Sequence, residues 1–482
     1  MKRKFFTNLI LILTVNVLVK PFWLFGIDRT VQVVTGDDYG LYYSLFALSC
    51  TLNILLDMGI TNYNNRNIAR YTHLLPKHMG NILGIKFMLA IVYAVVCITM
   101  GLLIGYDERR FHLLYFLIFN QFLLQLILYL RSNLSALHLF TTDSLVSVLD
   151  RIFMIFICGI LLFTNITGGV KFKIEWFVYI QTLSYLLAAL IIFLIVLKKA
   201  GKIKIAFNLN FNLVFLKKTF PYAILILLMS FYNRFDSVLM NWLLPHPVGD
   251  HQVSLYIHGF RLLDAVSMFG VLFGGMLLPI FSRMIKTKQN VGEMVIFAFS
   301  LIIFLSLTLA FSSFFYQEEI MGWLYKDGIT ESAPIFATLM FGFIPISTTY
   351  IFGTLLTANG SIRQLNIMAA IGMVLNIALN LILIPKLQAQ GAAFVSLLTQ
   401  SITAIAQVII AIRIFHFKTQ WGMTFKIISF ALIIVALGFV SQHIGNKLIG
   451  YLTLLVASAF TAFAVGLIDI KSLVRIVLNR EG

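Results

Sequence analysis

Charge is scarce in this sequence. Of 482 residues only 11% are charged, and Asp and Glu together number 19. A soluble domain carries about 25% charged residues, so this chain has too few polar groups to cover its own surface in water. It must face lipid. Cysteine is nearly absent as well: Cys50, Cys97 and Cys158 all fall in apolar runs. That excludes a disulfide framework and reads as three small buried hydrophobes. There is no Gly-rich phosphate loop with its lysine, no His/Cys metal spacing and no nucleophile elbow. Hydrolysis of ATP, a metal centre and a bound cofactor therefore have no residues to carry them. Long polar loops are missing too. The longest connections, around 199–218 and 316–332, are too short for a folded domain. A membrane glycosyltransferase or polysaccharide polymerase, which needs a sizeable outer loop with catalytic acids, is disfavoured on the same ground.

Apolar runs are abundant, with 60% of residues hydrophobic. A bilayer core of about 30 Å takes roughly 20 apolar residues per helix. The runs predict fourteen spans, at 8–30, 39–65, 80–105, 111–137, 144–164, 174–197, 219–244, 252–280, 291–316, 333–358, 362–385, 390–415, 422–442 and 446–468. The first lacks a small-residue cleavage site and is expected to remain as a span. The fold class is thus an all-α polytopic membrane protein. The Lys-rich connection near the midpoint divides it into residues 1–205 and 206–417, six helices each, with 418–482 holding the last two helices and a tail.

The formal net charge of +17 is distributed by side and does not imply nucleic acid. Lys2, Arg3 and Lys4, then Arg66, Arg70, Lys77 and Lys86, then Lys198 to Lys218, fall on the N-terminal side of the bilayer in this reading. The opposite side carries few cations and most loop acids, such as Asp37, Asp38, Asp107 and Glu108. The positive-inside rule then puts both termini in the cytoplasm, in the cytoplasmic (inner) membrane, with basic residues near membrane lipid headgroups.

The halves read as weak repeats. Asp37-Asp38-Tyr39-Gly40 enters the second span, and Gly249-Asp250-His251 leads to Tyr256 in the eighth. Six spans separate them, so both halves run in the same direction, as in parallel-repeat transporters.

Several charges lie at membrane depth: Lys20, Arg131, Arg151, Arg234 and Arg261, with Asp57, Asp150, Asp236 and Asp264. Each costs at least about 2.5–3.5 kcal/mol on a lipid-facing helix, so each is expected to face protein, a wet cavity or headgroups. Lys20 precedes Pro21, where a kink is expected, and Asn16 lies one turn back. Lys20 is about 18 Å along the helix from its start, too deep to snorkel comfortably inward. His258, Arg261 and Asp264 share one face of the eighth span; Arg261 either pairs with Asp264 or meets an anionic substrate. Arg234 and Asp236 point apart, and Asp236 is expected to pair with a cation such as Arg261. Arg131 and the Asp150-Arg151 pair read as snorkelling groups or internal salt bridges. Gln121 with Gln125, and Asn376 with Asn380, are i,i+4 polar stripes that either line a cavity or bond between helices.

These residues resemble a known family. Tyr39-Gly40-Leu41-Tyr42, Leu56-Asp57-Met58-Gly59 and Arg66-Asn67-Ile68-Ala69 resemble the family's opening motif. Pro221 followed by Arg234-Phe235-Asp236, then Tyr256 with Arg261-Leu262, are similar to its middle. Leu356 to Gly360, Asn376, Asn380 and Gln390-Gly391-Ala392-Ala393 are similar to its later part. Together they resemble the Wzx-type polysaccharide flippases of the multidrug/oligosaccharidyl-lipid/polysaccharide (MOP) exporter superfamily, over nearly the whole chain. The resemblance implies two pseudo-symmetric, MATE-like six-helix lobes in a V, alternating access, and a substrate of oligosaccharide on polyprenyl pyrophosphate. It implies no enzyme activity, and it makes the glycosyltransferases and polymerase of the same pathway the expected partners. Lys20, Arg234, Arg261 and His258 would then meet the pyrophosphate. Asp236 and Asp264 would serve charge pairing or coupling. Asn16, Gln121, Gln125, Asn376 and Asn380 would line a polar cavity. The alternative is a MATE-type cation-coupled multidrug or metabolite antiporter, which needs an isolated deep carboxylate. Asp57 is the deep acid with no cation within three residues.

Overall fold

The computed structural model describes residues 2–35, 37–164, 171–200, 209–245, 248–325, 328–417 and 421–468; within these ranges the side chains of Lys20, Asn233, Arg234 and Asp250, among others, lie outside the described residues. Among the described residues every element is a helix. Among the described residues ten helices are long and apolar enough to cross a membrane, from Thr72–Ile104 to Lys447–Ala464. The expected runs 362–385 and 390–415 lie within one of these, and the expected runs 8–30, 39–65 and 219–244 are each divided between two or more helical segments. The protein is a multi-pass helical membrane protein. Its chain divides into two compact units, Asn8–Ile224, and Leu225–Gly482 with Met1–Thr7.

From Asn8 the first unit runs along α1 (Lys2–Pro21), a π-helical turn Phe22–Asp28 and α2 (Arg29–Thr35). The regular α-helix stops at Pro21, as the missing N–H of proline requires. The second run, expected as one span over 39–65, is broken into α3 (Asp37–Thr51), α4 (Ile54–Asp57) and α5 (Ile60–Arg70). Met58 and Gly59 both adopt left-handed backbone, with φ of 46° and 76°. Only glycine fits at the second position. A methyl group there would lie 2.7 Å from the Thr219 carbonyl oxygen and the Ala223 amide nitrogen, so the break is the surface on which a later helix packs. Then follow α6 (Leu75–Ile104), α7 (Glu108–Ala136), α8 (Phe140–Val146), α9 (Leu149–Phe163), α10 (Ile174–Ala200) and α11 (Leu209–Arg234), in which the unit boundary falls.

Polar ties hold these helices together where apolar contacts supply no register. At the ends of α3, α7 and α10, Arg109 donates from Nη1 and Nη2 to the two oxygens of Asp38, each at 2.9 Å, and from Nε to Glu175 at 2.8 Å. Arg131 of α7 bonds Asp143 of α8 at 2.8 Å. Arg151 lies 3.4 Å from Asp150 and 5.4 Å over the Trp23 ring.

The second unit contains α12 (Asp236–Leu243), α13 (Val248–Lys286), α14 (Gly292–Phe315), α15 (Gln317–Leu324), α16 (Ile329–Phe341) and α17 (Phe343–Asn359). It ends with α18 (Ile362–Phe415), α19 (Trp421–Gln442) and α20 (Lys447–Ala464). The long α18 is two helices joined at Gln388, where φ is 50° and ψ is −133°. The return leg packs close: a methyl on Gly391 would fall 2.6 Å from the Leu383 carbonyl oxygen. The end of α14 is stitched to α19 by Tyr316, whose hydroxyl donates to Ser441 Oγ at 2.9 Å, and by Gln442 Nε2, which donates to the Phe315 carbonyl at 2.9 Å.

Candidate functional site

In the second unit three helices converge on one carboxylate. The chain is interrupted at Phe235, and Asp236 opens α12, where the helix dipole favours negative charge. Asn376 and Asn380 lie one turn apart on the first leg of α18, and Tyr256 comes from α13. Asp236, Asn376 and Asn380 are fully buried, and Tyr256 nearly so. Tyr256 donates its hydroxyl to Oδ2 of Asp236 at 2.9 Å. The amides of Asn380 and Asn376 donate to Oδ1 at 2.8 and 3.2 Å. Asn380 also donates to Oδ1 of Asn376 at 3.1 Å.

Helical spacing predicts a cation beside Asp236. Its described partners are instead a phenol and two amides. Three donors satisfy the carboxylate's oxygens but do not cancel its charge, and a lone buried charge is expensive in low dielectric. The Oδ1 of Asn380 is itself buried with no hydrogen-bond partner among the described residues. Uptake of a proton, or of a small cation at the carboxylate, would neutralise the site. That is the chemistry this arrangement can perform.

The other candidates on α13 sit outside this cluster. Arg261 and Asp264 are exposed, and His258 is half-buried. The His258 ring stacks on Tyr325 with centroids 3.8 Å apart, and Tyr325 donates its hydroxyl to the His258 carbonyl at 3.4 Å. The candidates Lys20 and Arg234 lie outside the described residues. Asn16 is buried and donates to the Ile12 carbonyl at 2.7 Å and to Ser147 Oγ at 3.3 Å. Gln121 is buried and donates to Ser49 Oγ at 3.4 Å and Cys50 Sγ at 3.1 Å. In this conformation Asn16 and Gln121 tie helices together. Gln125 is half-buried.

Lys86 requires a correction. In sequence it reads as a headgroup cation at a span end. It lies inside α6 at 1% exposure and is paired with Asp57 at 2.7 Å. Its ammonium also donates to the Leu56 carbonyl at 3.2 Å and lies 5.9 Å over the Tyr129 ring. Asp57 additionally accepts from the amide and hydroxyl of Thr61. The acid with no cation near it in sequence is therefore neutralised from the neighbouring helix, at the break in the second run. Tyr256 is visible in the sequence as part of a motif with Arg261-Leu262, but nothing local directs its hydroxyl to Asp236.

A profile of polysaccharide biosynthesis proteins matches residues 5–285. No curated protein matches the sequence. Among solved structures, a Vibrio cholerae MATE transporter is similar at 13% identity, covering 86% of this chain and 97% of that one, with a TM-score of 0.70. The lipid II flippase MurJ in an inward closed conformation is similar at 15% identity, covering 97% of this chain and 100% of that one, with a TM-score of 0.62. A MOP superfamily transporter from Pyrococcus furiosus is similar at 14% identity over 86% of this chain and 96% of that one, with a TM-score of 0.67. At these identities the likeness shows a shared fold.

Proposed function

The chain belongs to the polysaccharide biosynthesis protein family, within the MOP superfamily, and from that membership we propose that it is a flippase. It carries polyprenyl-pyrophosphate-linked oligosaccharide repeat units across the cytoplasmic membrane by alternating access, for surface polysaccharide biosynthesis. The family match over residues 5–285 is the observation that carries this reading. Likeness to a lipid II flippase over 97% of the chain supports it. Both termini face the cytoplasm, and the glycosyltransferases and polymerase of the pathway are the natural partners.

The chemistry divides between binding and drive. A pyrophosphate leaving the headgroup layer must exchange its water for fixed cations, and charge-assisted contacts are the strong ones. Arg261, with His258 one turn away, offers an exposed cation, and Lys20 and Arg234 supply others. Drive is assigned to Asp236. Loading it with a proton or small cation removes an uncompensated buried charge and so shifts the balance between two conformations. Asp264, one turn from Arg261 on α13, is assigned to charge pairing or coupling.

Cells lacking the protein should accumulate lipid-linked oligosaccharide on the cytoplasmic leaflet and lose surface polymer, with rescue by the wild-type gene. Lys20→Ala and Arg261→Ala should each insert normally and lower surface polymer about tenfold, the loss of one charge-assisted contact. Unchanged lipid-linked sugar and polymer, without a redundant flippase, would favour the cation-coupled antiporter and send the next assay to drug efflux. Normal transport by both variants would remove the binding assignment.

A further inference from the structure

A run of buried polar groups leads away from Asp236 inside the second unit. Tyr256, which donates to Asp236, is itself within hydrogen-bonding reach of Ser396 on the second leg of α18. From there Ser396, Thr399, Gln400, Thr403 and Gln407 follow one another along that leg, each of them buried. Steps of three and four residues, with Thr399 and Gln400 side by side, keep all five on one face of the helix. The rise from Ser396 to Gln407 is about 16 Å. The opposite face is apolar and exposed, with Ile402, Ile405 and Ile409. Gln407 stands less than two turns before Arg413, which is exposed near the end of the helix.

Polar stripes in membrane helices ordinarily bond across to a neighbour. This one is left open. The hydroxyl of Thr399 and Oε1 of Gln407 are buried with no hydrogen-bond partner among the described residues, and so is the hydroxyl of Tyr232, a residue of α11 at 1% exposure. Ser401 and Thr403 donate back to the carbonyls of Leu397 and Thr399, whereas Thr399 does not spend its hydroxyl in this way. Packing draws the open groups together. A methyl on Gly372, on the first leg of α18, would lie 2.8 and 3.9 Å from the methyl carbons of Thr403 and Thr399 and 3.8 Å from the Tyr232 ring. A methyl on Gly353 of α17 would lie 2.7 Å from Gln407 Oε1. A buried polar atom without a partner is costly, and bound water satisfies such atoms where several stand together. The other side of Asp236 is different. Towards the break at Gln388 lie Leu239, Met240, Leu244, Leu255, Ile384 and Ala392, all buried, and their side chains offer water no hydrogen bond.

We propose that a file of bound water along Ser396, Thr399, Tyr232 and Gln407 carries protons between Asp236 and the Arg413 end of α18, the cytoplasmic side in the topology given above. Asp236 then loads a proton and not a metal cation. Its partners agree, because the two amides present N–H groups to the carboxylate, and N–H donors do not ligate a metal. For uptake, Tyr256 passes its hydroxyl proton to Oδ2 of Asp236 and takes one from the Ser396 hydroxyl, which is replenished from the water file. Release runs the same transfers in reverse. The use of that proton as drive rests on the function proposed above; the water file does not.

The test has two arms, both on the full chain. In the purified protein, X-ray radiolysis turns bound water into hydroxyl radicals where it sits, and mass spectrometry counts the side chains oxidised. Tyr232 should be oxidised clearly faster than Tyr93 and Tyr316, which are as deeply buried but hydrogen-bonded to the Ser49 carbonyl and to Ser441. Equally slow oxidation of all three overturns the proposal. In proteoliposomes, Thr399→Val and Tyr232→Phe remove a hydroxyl at nearly constant shape, with Gln407→Leu as the further variant should either fail to fold. Each should slow flipping of a polyprenyl-pyrophosphate oligosaccharide about tenfold, the loss of one hydrogen-bonded step. Each should also raise the ratio of rates in H2O and D2O, which a merely structural role would leave unmoved. Wild-type rates and isotope ratios in the folded variants, with Asp236→Asn inactive, overturn the proton path and leave the drive assignment standing. Wild-type flipping by Asp236→Asn removes the drive assignment instead, and the oxidation of Tyr232 then decides the water file by itself.

Discussion

Asp236→Asn is expected to leave the protein inserted but to reduce surface polymer at least tenfold, and Asp236→Ala to abolish it. Asparagine keeps the shape of the side chain and cannot exchange a proton or hold a cation by charge. It also turns one oxygen into a donor facing other donors. Alanine does more. It strips acceptors from the Tyr256 hydroxyl and from both amides. A buried donor left unsatisfied costs about 1–3 kcal/mol, and three donors lose their acceptor together. A loss of about 3–5 kcal/mol is therefore expected for Asp236→Ala in thermal unfolding in detergent, with a smaller loss for Asp236→Asn. The two readouts separate the roles. If Asp236→Asn is destabilised yet supports normal polymer levels, the cluster is scaffolding and the drive lies elsewhere. If it is stable and inactive, the carboxylate's charge is used.

The second large effect lies in the other unit. Lys86→Met should destabilise it by about 3–5 kcal/mol, because Asp57 then remains as an uncompensated buried charge. Asp57→Leu alone should cost a similar amount, stranding the ammonium of Lys86. The double variant should recover most of the loss, since an apolar pair of similar volume replaces a buried ion pair at little net cost. The expected signature is a strong coupling energy in a double-mutant cycle, read from unfolding in detergent. Additive losses would mean that the 2.7 Å pair contributes little and that the break at Met58 and Gly59 stands on backbone packing alone. Coupling would identify the pair as what pins the break.

These two sites also show what the sequence reveals and what it hides. Membrane class, helical fold and most spans are legible, because an apolar run of bilayer length is seldom anything but a membrane helix. The break between 362–385 and 390–415 is legible from its punctuation and is found at Gln388. The break in 39–65 is not. It depends on α11 lying against Gly59 and on Lys86 reaching Asp57, and both contacts join residues far apart in sequence. Asp236, Asn376 and Asn380 are each visible as polar residues in apolar surroundings. Their meeting is not, since helical spacing gives the face a residue occupies but not the helix it faces. For the same reason the sequence points to Arg261 beside Asp236, where Tyr256 stands. Lys86 is misplaced by sequence because a lysine near a span end usually snorkels to the headgroups, and nothing local marks one that turns inward.

Movement of a lipid-linked oligosaccharide from one leaflet to the other can be observed directly. Purified protein is placed in proteoliposomes with a fluorescent polyprenyl-pyrophosphate oligosaccharide in both leaflets, and an impermeant quencher is added. With wild type, nearly all of the lipid should become accessible within the assay, and with Asp236→Asn only the half that starts outside. Equal protection of the inner half with wild type and with empty vesicles, under every imposed ion gradient, would contradict the proposed flippase activity.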